Sequence, residues 1–227
     1  RAKFIYINYP NNPTGAVATK AFYEKLVAWA KTYEVGVVSD LAYGALGYRG
    51  YENPSFLSAP GAKDVGIEFY TFSKTFNMAG WRLAFAAGND QMIEALNLIQ
   101  DHLFVGIFPA LQEAGIAALL DPKSEEAVAQ LNETYDSRRD AFVQAAAKIG
   151  WQAFPSRGSF YAWMPVPEGY TSESFADLLL EKAHVAVAPG KGFGPAGDAY
   201  VRIGLLVEPE RLVEAVDRIA KLYLFNN

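Results

Sequence analysis

A lysine, an aspartate and two arginines stand where chemistry could use them. Lys74 lies in Phe72-Ser73-Lys74-Thr75, directly after an apolar run. The hydroxyls of Thr71, Ser73 and Thr75 surround it, and Arg82 follows eight residues later. An amine beside hydroxyls and a guanidinium makes a phosphate cradle with a nucleophile next to it. Asp40 closes Val38-Ser39-Asp40 and is followed by Leu41-Ala42-Tyr43. Arg202 has apolar neighbours on both sides in Val201-Arg202-Ile203, and Asn12 sits in the dense turn signal Tyr9-Pro10-Asn11-Asn12-Pro13-Thr14-Gly15. Each residue also has a plainer reading. Lys74 could be a solvated surface lysine, Asp40 a helix N-cap, Tyr43 a core or surface aromatic, and Arg202 an outward strand residue. An inward-facing Arg202 would instead be a cation that requires a carboxylate, which is a ligand-binding reading.

Short buried strands deliver these residues. Phe4–Asn8 reads as a strand before the turn. Thr19 can cap a helix running to about Tyr33, with Phe22, Leu26, Val27 and Ala30 at helical spacing. Val35–Ser39, Val65–Phe72 and Leu83–Ala87 read as further strands. Strands alternating with a helix predict α/β layering around a mostly parallel sheet. Such sheets bind ligands at the carboxyl ends of their strands, and Asn12, Asp40 and Lys74 all fall there. Residues 91–150 read as largely helical, broken around Asp121-Pro122, with 125–149 the longest helix. Beyond Gly150, strands at 159–164, 185–188 and 200–206 and helices at 174–182 and 209–222 predict a smaller α+β unit. The expected division is 1–130 and 131–227.

Composition excludes several alternatives. The 227 residues contain no Cys and only His102 and His184 as histidines. Disulfides, thiolate nucleophiles and cysteine metal sites are excluded, and no metal centre is expected. A net charge of −5 argues against nucleic acid as a partner. No apolar run approaches a membrane span. Gly192-Phe193-Gly194-Pro195-Ala196-Gly197 matches a dinucleotide glycine pattern, yet a strand-like run follows where a helix N-terminus is required. A glycine-rich connection is the better reading. Aromatic residues are abundant at 14%.

The remaining set matches the needs of a pyridoxal phosphate (PLP) enzyme. Such an enzyme uses a lysine for the aldehyde, an acid for the pyridine nitrogen, donors for the ring hydroxyl and phosphate, and an arginine for the substrate carboxylate.

Taken together, the chain resembles the class I/II aminotransferases, fold-type I PLP enzymes of the aspartate aminotransferase superfamily. Asn12-Pro13-Thr14-Gly15 resembles their NPTG turn, and Asp40-Leu41-Ala42-Tyr43 their D-x-A-Y segment. Thr71-Phe72-Ser73-Lys74 with Gly80-Trp81-Arg82 resembles the S-x-S-K…G-W-R block, with threonine where serine is usual and the hydroxyl retained. Gly158-Ser159-Phe160-Tyr161-Ala162-Trp163, then Val187-Ala188-Pro189-Gly190 with Phe193-Gly194, and Val201-Arg202-Ile203, resemble the small-domain strands. The resemblance implies an α/β fold made of part of the large PLP-binding domain plus a small C-terminal α+β domain. It implies that Lys74 holds the cofactor aldehyde and later carries the proton from substrate Cα, and that Asp40 pairs with the ring nitrogen. Tyr43 and Asn12 bond the ring hydroxyl, Thr71, Ser73 and Arg82 hold the phosphate, and Arg202 binds the substrate α-carboxylate, with Asn12 beside it; the aromatics Tyr43, Phe160, Tyr161 and Trp163 are expected in or near the site.

Finer resemblance, in Asn8–Thr19, Gly61–Glu68 and Tyr70–Trp81, is to the LL-diaminopimelate-type and methionine-salvage aminotransferases, and Gln100–Val105 and Pro167–Glu173 are most similar to the methionine-salvage type. It implies amination of 4-methylthio-2-oxobutanoate to methionine. LL-diaminopimelate or another amino acid is the alternative substrate, and a carbon–sulfur β-lyase on the same fold is the alternative reaction. A non-catalytic module is a third reading, without a basic patch to support a DNA regulator. The resemblance further implies amino acid and 2-oxo acid substrates, a homodimer with its site at the interface, and the cytoplasm. Because the chain opens at Arg1 on a strand-like run, it is expected to lack an N-terminal portion.

Overall fold

The computed structural model describes residues 2–225. Arg1, on which the expectation of an earlier start rests, lies outside the described residues. The chain divides into two compact units: residues up to Pro10 with Val17–Leu131, and Asn11–Ala16 with the chain from Asn132 onward.

The N-terminal unit is built on a four-stranded sheet. Its strands are β1 (Phe4–Asn8), β2 (Gly36–Asp40), β3 (Gly66–Thr71) and β4 (Ala84–Gly88), in that order. β1, β2 and β3 pair in parallel, and β4 returns antiparallel to β3, so the sheet is mostly parallel. α1 (Lys20–Tyr33) begins at Thr19, whose hydroxyl accepts from the Phe22 N–H at 3.2 Å. Its buried stripe is Tyr23, Leu26, Val27 and Ala30, packed with Ile5, Ile7 and Val37 of the sheet. Phe22, expected on that stripe, is 39% exposed because Tyr23 takes the inward position. Burial is worth about 1.5–3 kcal/mol for each large apolar side chain, so this face anchors the sheet. α2 (Ala62–Val65) leads into β3 and α3 (Phe72–Thr75) leaves it.

The helical stretch contains α4 (Asp90–Leu103), α5 (Pro109–Leu120) and α6 (Ser124–Lys148). The sequence predicts one break, near Asp121; the structure adds another at 104–108. Gly106 there has φ 159°, and Pro109 starts α5 at its first turn, where a missing N–H costs nothing. On the second face of the sheet, Met92, Ala95, Leu96 and Ile99 of α4 line a groove of about 370 Å³ with Phe4, Val38, Ile67 and Phe69.

The C-terminal unit has a three-stranded antiparallel sheet of β5 (Tyr161–Pro165), β6 (Ala188–Pro189) and β7 (Tyr200–Gly204), with β7 central. The strand expected over 185–188 is only Ala188–Pro189. It is preceded by α7 (Ser172–Leu178), a π-helical turn at Leu179–Ala183, and a left-handed His184 (φ 55°) that turns the chain off the sheet edge. α8 (Pro209–Ala220) closes the unit. Its core joins Phe142 and Ala146 of α6 to Trp151, Ala162, Met164, Phe175, Leu179, Val201, Leu205, Leu212, Val216 and Ile219. Among the described residues, no helix is long and apolar enough to cross a membrane.

Candidate active site

In the N-terminal unit the candidate residues gather at the carboxyl edge of the parallel strands. β2 ends at Asp40, which pairs in register with Phe69 of β3. Asp40 is exposed, and its Oδ1 accepts the Ala42 N–H at 3.0 Å. It thus caps a tight turn rather than a helix. That turn buries Tyr43 to 5% exposure. β3 ends at Thr71, whose hydroxyl caps α3 by accepting the Ser73 N–H at 3.1 Å. The same hydroxyl lies 3.0 Å from Ser73 Oγ.

Lys74 follows on this turn, half-buried between the buried Ser73 and Thr75. Thr75 is held by a 2.7 Å hydrogen bond with the Tyr70 phenol, whose pKa burial pushes up. Arg82 joins the edge because β4 runs antiparallel to β3: Phe72 donates to the Leu83 carbonyl at 3.2 Å, and Thr71 pairs with Ala84. Arg82 adopts a left-handed backbone (φ 54°), and its exposed guanidinium donates to the Ala79 carbonyl at 3.1 Å. An amine, a hydroxyl pair, a guanidinium, a carboxylate and a phenol therefore share one edge of one sheet. Among the described residues, no group of three or more His, Asp or Glu could hold a metal.

Asn12 and Arg202 belong to the C-terminal unit. Val201 and Ile203 of β7 point into its core, so the period-two alternation of a strand puts Arg202 on the opposite face. Arg202 Nη1 donates to Asn12 Oδ1 at 2.7 Å. Its guanidinium carbon lies 4.2 Å from the Tyr161 ring centroid and 4.7 Å from that of Phe193. Trp163, opposite Arg202 in register, stacks on Tyr200 at 5.2 Å and meets the Phe193 ring edge-on at 6.0 Å. Arg202 therefore lies off the core face of β7, half-buried among aromatic rings rather than free in solvent.

The Asn12 turn is tied down locally and at a distance. Asn11 Oδ1 accepts from Thr14 Oγ1 at 2.7 Å and from the Thr14 N–H at 3.1 Å. The Gly15 carbonyl accepts from the N–H groups of Arg157 at 3.2 Å and Gly158 at 3.3 Å. The sequence singles out Asn12 and Arg202 and presents Phe193 only inside a motif, giving no role to Phe193, Ser156 or Gly15. For Phe193 the sequence signal is the Phe193-Gly194 pair in the closing-strand motif, which says nothing of its contact with Arg202.

The segment carrying Phe193 consists of two 3₁₀ turns, Gly190–Phe193 and Pro195–Ala199, followed by β7, with no helix after the glycines. It is pinned to the start of α7. Asp198 Oδ1 accepts from Ser172 Oγ at 2.8 Å and from the Ser172 N–H at 3.2 Å, and Lys191 Nζ pairs with Glu173 at 2.7 Å. The Ser172 hydroxyl, then its backbone N–H, hold the Asp198 carboxyl below its ordinary value. A depressed carboxylate pKa contributes stability above the unfolded value and loses it as pH falls through the folded value. Ser172→Ala is therefore expected to raise the Asp198 pKa, read by NMR titration. An unchanged value would contradict this account of the anchor.

One unit carries a carboxyl-edge cluster with a lysine on the turn after a parallel strand, the other a small antiparallel sheet that presents an arginine, and both are elements of the fold-type I enzyme architecture. The chain belongs to the class I and II aminotransferases, whose family model matches residues 1–219. It is 58% identical over 99% of its length to L-glutamine--4-(methylsulfanyl)-2-oxobutanoate aminotransferase of Bacillus subtilis (strain 168), covering 56% of that protein. It is 48% identical over 98% of its length to LL-diaminopimelate aminotransferase of Moorella thermoacetica, again covering 56%. The apo structure of BacF from Bacillus subtilis superposes with a TM-score of 0.94 at 48% identity, covering all of this chain and 57% of that one. The chain thus spans a little over half the length of the curated relatives it matches.

Proposed function

We propose that this chain contributes the catalytic lysine, cofactor-binding edge and substrate-carboxylate arginine of a PLP-dependent aminotransferase. The observation that carries the reading is the Thr71–Ser73 hydroxyl pair, 3.0 Å apart, on the turn that presents Lys74. The donor set fits PLP: hydroxyls and the Arg82 guanidinium suit a phosphate, Asp40 suits a ring nitrogen, the Tyr43 phenol suits a ring hydroxyl, and Lys74 suits an aldehyde. When bound, the cofactor supplies an electron sink for charge that develops at the substrate Cα. Lys74 acts as nucleophile toward the aldehyde and then, as the free amine, takes the proton from Cα. Asp40 keeps a proton on the ring nitrogen. Thr71, Ser73 and Arg82 fix the phosphate. Asn12 steadies Arg202 through its carbonyl oxygen, its amide being the donor assigned to the ring hydroxyl. Arg202 takes the α-carboxylate as a planar fork.

We further assign 4-methylthio-2-oxobutanoate as the amino acceptor and methionine as the product. The support is the 58% identity to the Bacillus subtilis enzyme whose name states that acceptor. LL-diaminopimelate remains the second reading, supported by the 48% relative. The homodimer implied by the resemblance belongs to the same reading.

Borohydride reduction of the PLP-loaded protein, followed by peptide mapping, is expected to place the label on Lys74. Label on another lysine would overturn the assignment. Mixing the loaded protein with methionine alone is expected to release one equivalent of 4-methylthio-2-oxobutanoate without ammonia. Release of ammonia and pyruvate from cystathionine would instead identify a carbon–sulfur β-lyase, and a response only to LL-diaminopimelate would move the substrate assignment.

A further inference from the structure

Arg202 has two aromatic rings and one amide oxygen against its guanidinium. A guanidinium can be approached through either face or along its edges. Here Tyr161 covers it at 4.2 Å and Phe193 at 4.7 Å, and one edge nitrogen is engaged by Asn12 at 2.7 Å. Its hydrogen-bond partner is a neutral amide oxygen, so its charge is not neutralised by that contact. Both rings are themselves supported. Tyr161 is 8% exposed and meets Phe160 at 4.8 Å, with Phe160 stacked on Tyr135 at 5.2 Å. Phe193 rests edge-on against Trp163, and its segment is fastened to α7 by Ser172, Asp198 and Lys191.

We infer that Tyr161 and Phe193 are positioning residues that clamp Arg202 in one plane and so select a planar carboxylate over a tetrahedral anion. The inference rests on Arg202 being the carboxylate site proposed above. With aromatic rings near the guanidinium and Asn12 on one edge, an anion is received along the remaining in-plane edge. A carboxylate fits that edge with two parallel hydrogen bonds. A phosphonate or sulfonate places a third oxygen out of the plane, against the rings. The clamp also fixes the side chain beforehand, so less rotamer freedom is lost on binding.

Phe193 is the residue to vary, because it is 42% exposed and its loss leaves the core of the unit intact. The test uses the holoenzyme and two inert probes of equal chain length, 4-methylthiobutanoate and its phosphonate counterpart. Dissociation constants are read by calorimetry. Phe193→Leu is expected to weaken the carboxylate roughly 3- to 10-fold, the cost of immobilising on binding a side chain no longer held beforehand. The phosphonate should weaken little, so the carboxylate preference collapses. Phe193→Tyr should restore the preference. A merely structural role would weaken both probes together and would not be rescued. NMR of the Arg202 Nε–Hε group gives an independent reading: ring-current shift and slow solvent exchange in the parent and in Phe193→Tyr, both lost in Phe193→Leu. Carboxylate preference unchanged within about twofold in Phe193→Leu would overturn the clamp. Arg202→Lys separates the two levels. If it leaves the carboxylate constant unchanged, the site reading itself fails. If it weakens the carboxylate while Phe193→Leu does not, only the clamp fails.

Discussion

Replacing Lys74 with alanine is expected to lower transamination by at least about 10²–10⁴-fold, the range typical for removal of a positioned general base. The loss falls on chemistry rather than on folding. Lys74 is half-buried at the surface of the α3 turn, while Phe72, packed with Met78 and Leu83, holds that turn in place. The unfolding free energy should accordingly change by no more than about 1 kcal/mol, as for an ordinary surface substitution. Lys74→Arg is expected to be nearly as inactive. It keeps the positive charge, but a guanidinium does not give up its proton, so it can be neither nucleophile nor base. If Lys74 were a solvated surface residue, both variants would turn over normally, and steady-state production of the 2-oxo acid would show it. Partial rescue of the alanine variant by an added primary amine would assign the loss to the missing amine.

The elements that present this lysine are legible in the sequence because their signals are local. Phe4–Asn8 is a strand in both readings, and Thr19 caps α1 where a hydroxyl before an apolar stripe predicts it. The alternation Val201, Ile203, Leu205 marks the buried face of β7 and places Arg202 on the other. What the sequence conceals is set by distance along the chain. Arg202 and Asn12 are 190 residues apart, and no local pattern says that one will bond the other. The same holds for Gly15 and Arg157, and for Tyr161 and Phe193 against one guanidinium. The shortened β6 is a different failure. Val185–Ala188 has the composition of a strand, but the π-helical turn and left-handed His184 before it redirect the chain before pairing begins. The break at 104–108 carries its own markers in Gly106 and Pro109, which the surrounding apolar run hides.

Gly15→Ala is expected to destabilise the Asn12 turn by about 2–5 kcal/mol. Left-handed backbone costs a non-glycine residue about 1–2 kcal/mol, and Gly15 has φ 68°. The remainder is steric, within the roughly 1–3 kcal/mol typical of overpacking. A Cβ at this position would stand 2.1 Å from Ser156 Oγ, 2.8 Å from Ser156 Cβ and 3.0 Å from the Gly158 carbonyl oxygen. Ser156 can turn aside only by giving up its own 3.0 Å bond to that carbonyl. Relief of the clash moves the turn, and the turn carries Asn12, so the bond to Arg202 is lost with it. A hydrogen bond to a charged group is worth about 1.5–3 kcal/mol, which predicts a KM for the carboxylate substrate higher by roughly 10- to 100-fold. Ser156→Gly in the same chain removes the two shortest contacts and leaves the backbone strain. The double variant should therefore recover part of the loss, a coupling that two independent sites would not show. Thermal unfolding and KM measured on the two single variants and the double variant decide the matter. If Gly15→Ala alone leaves both within error of the parent, the turn is not fixed by Gly15, and its tie to Arg202 does not govern substrate binding.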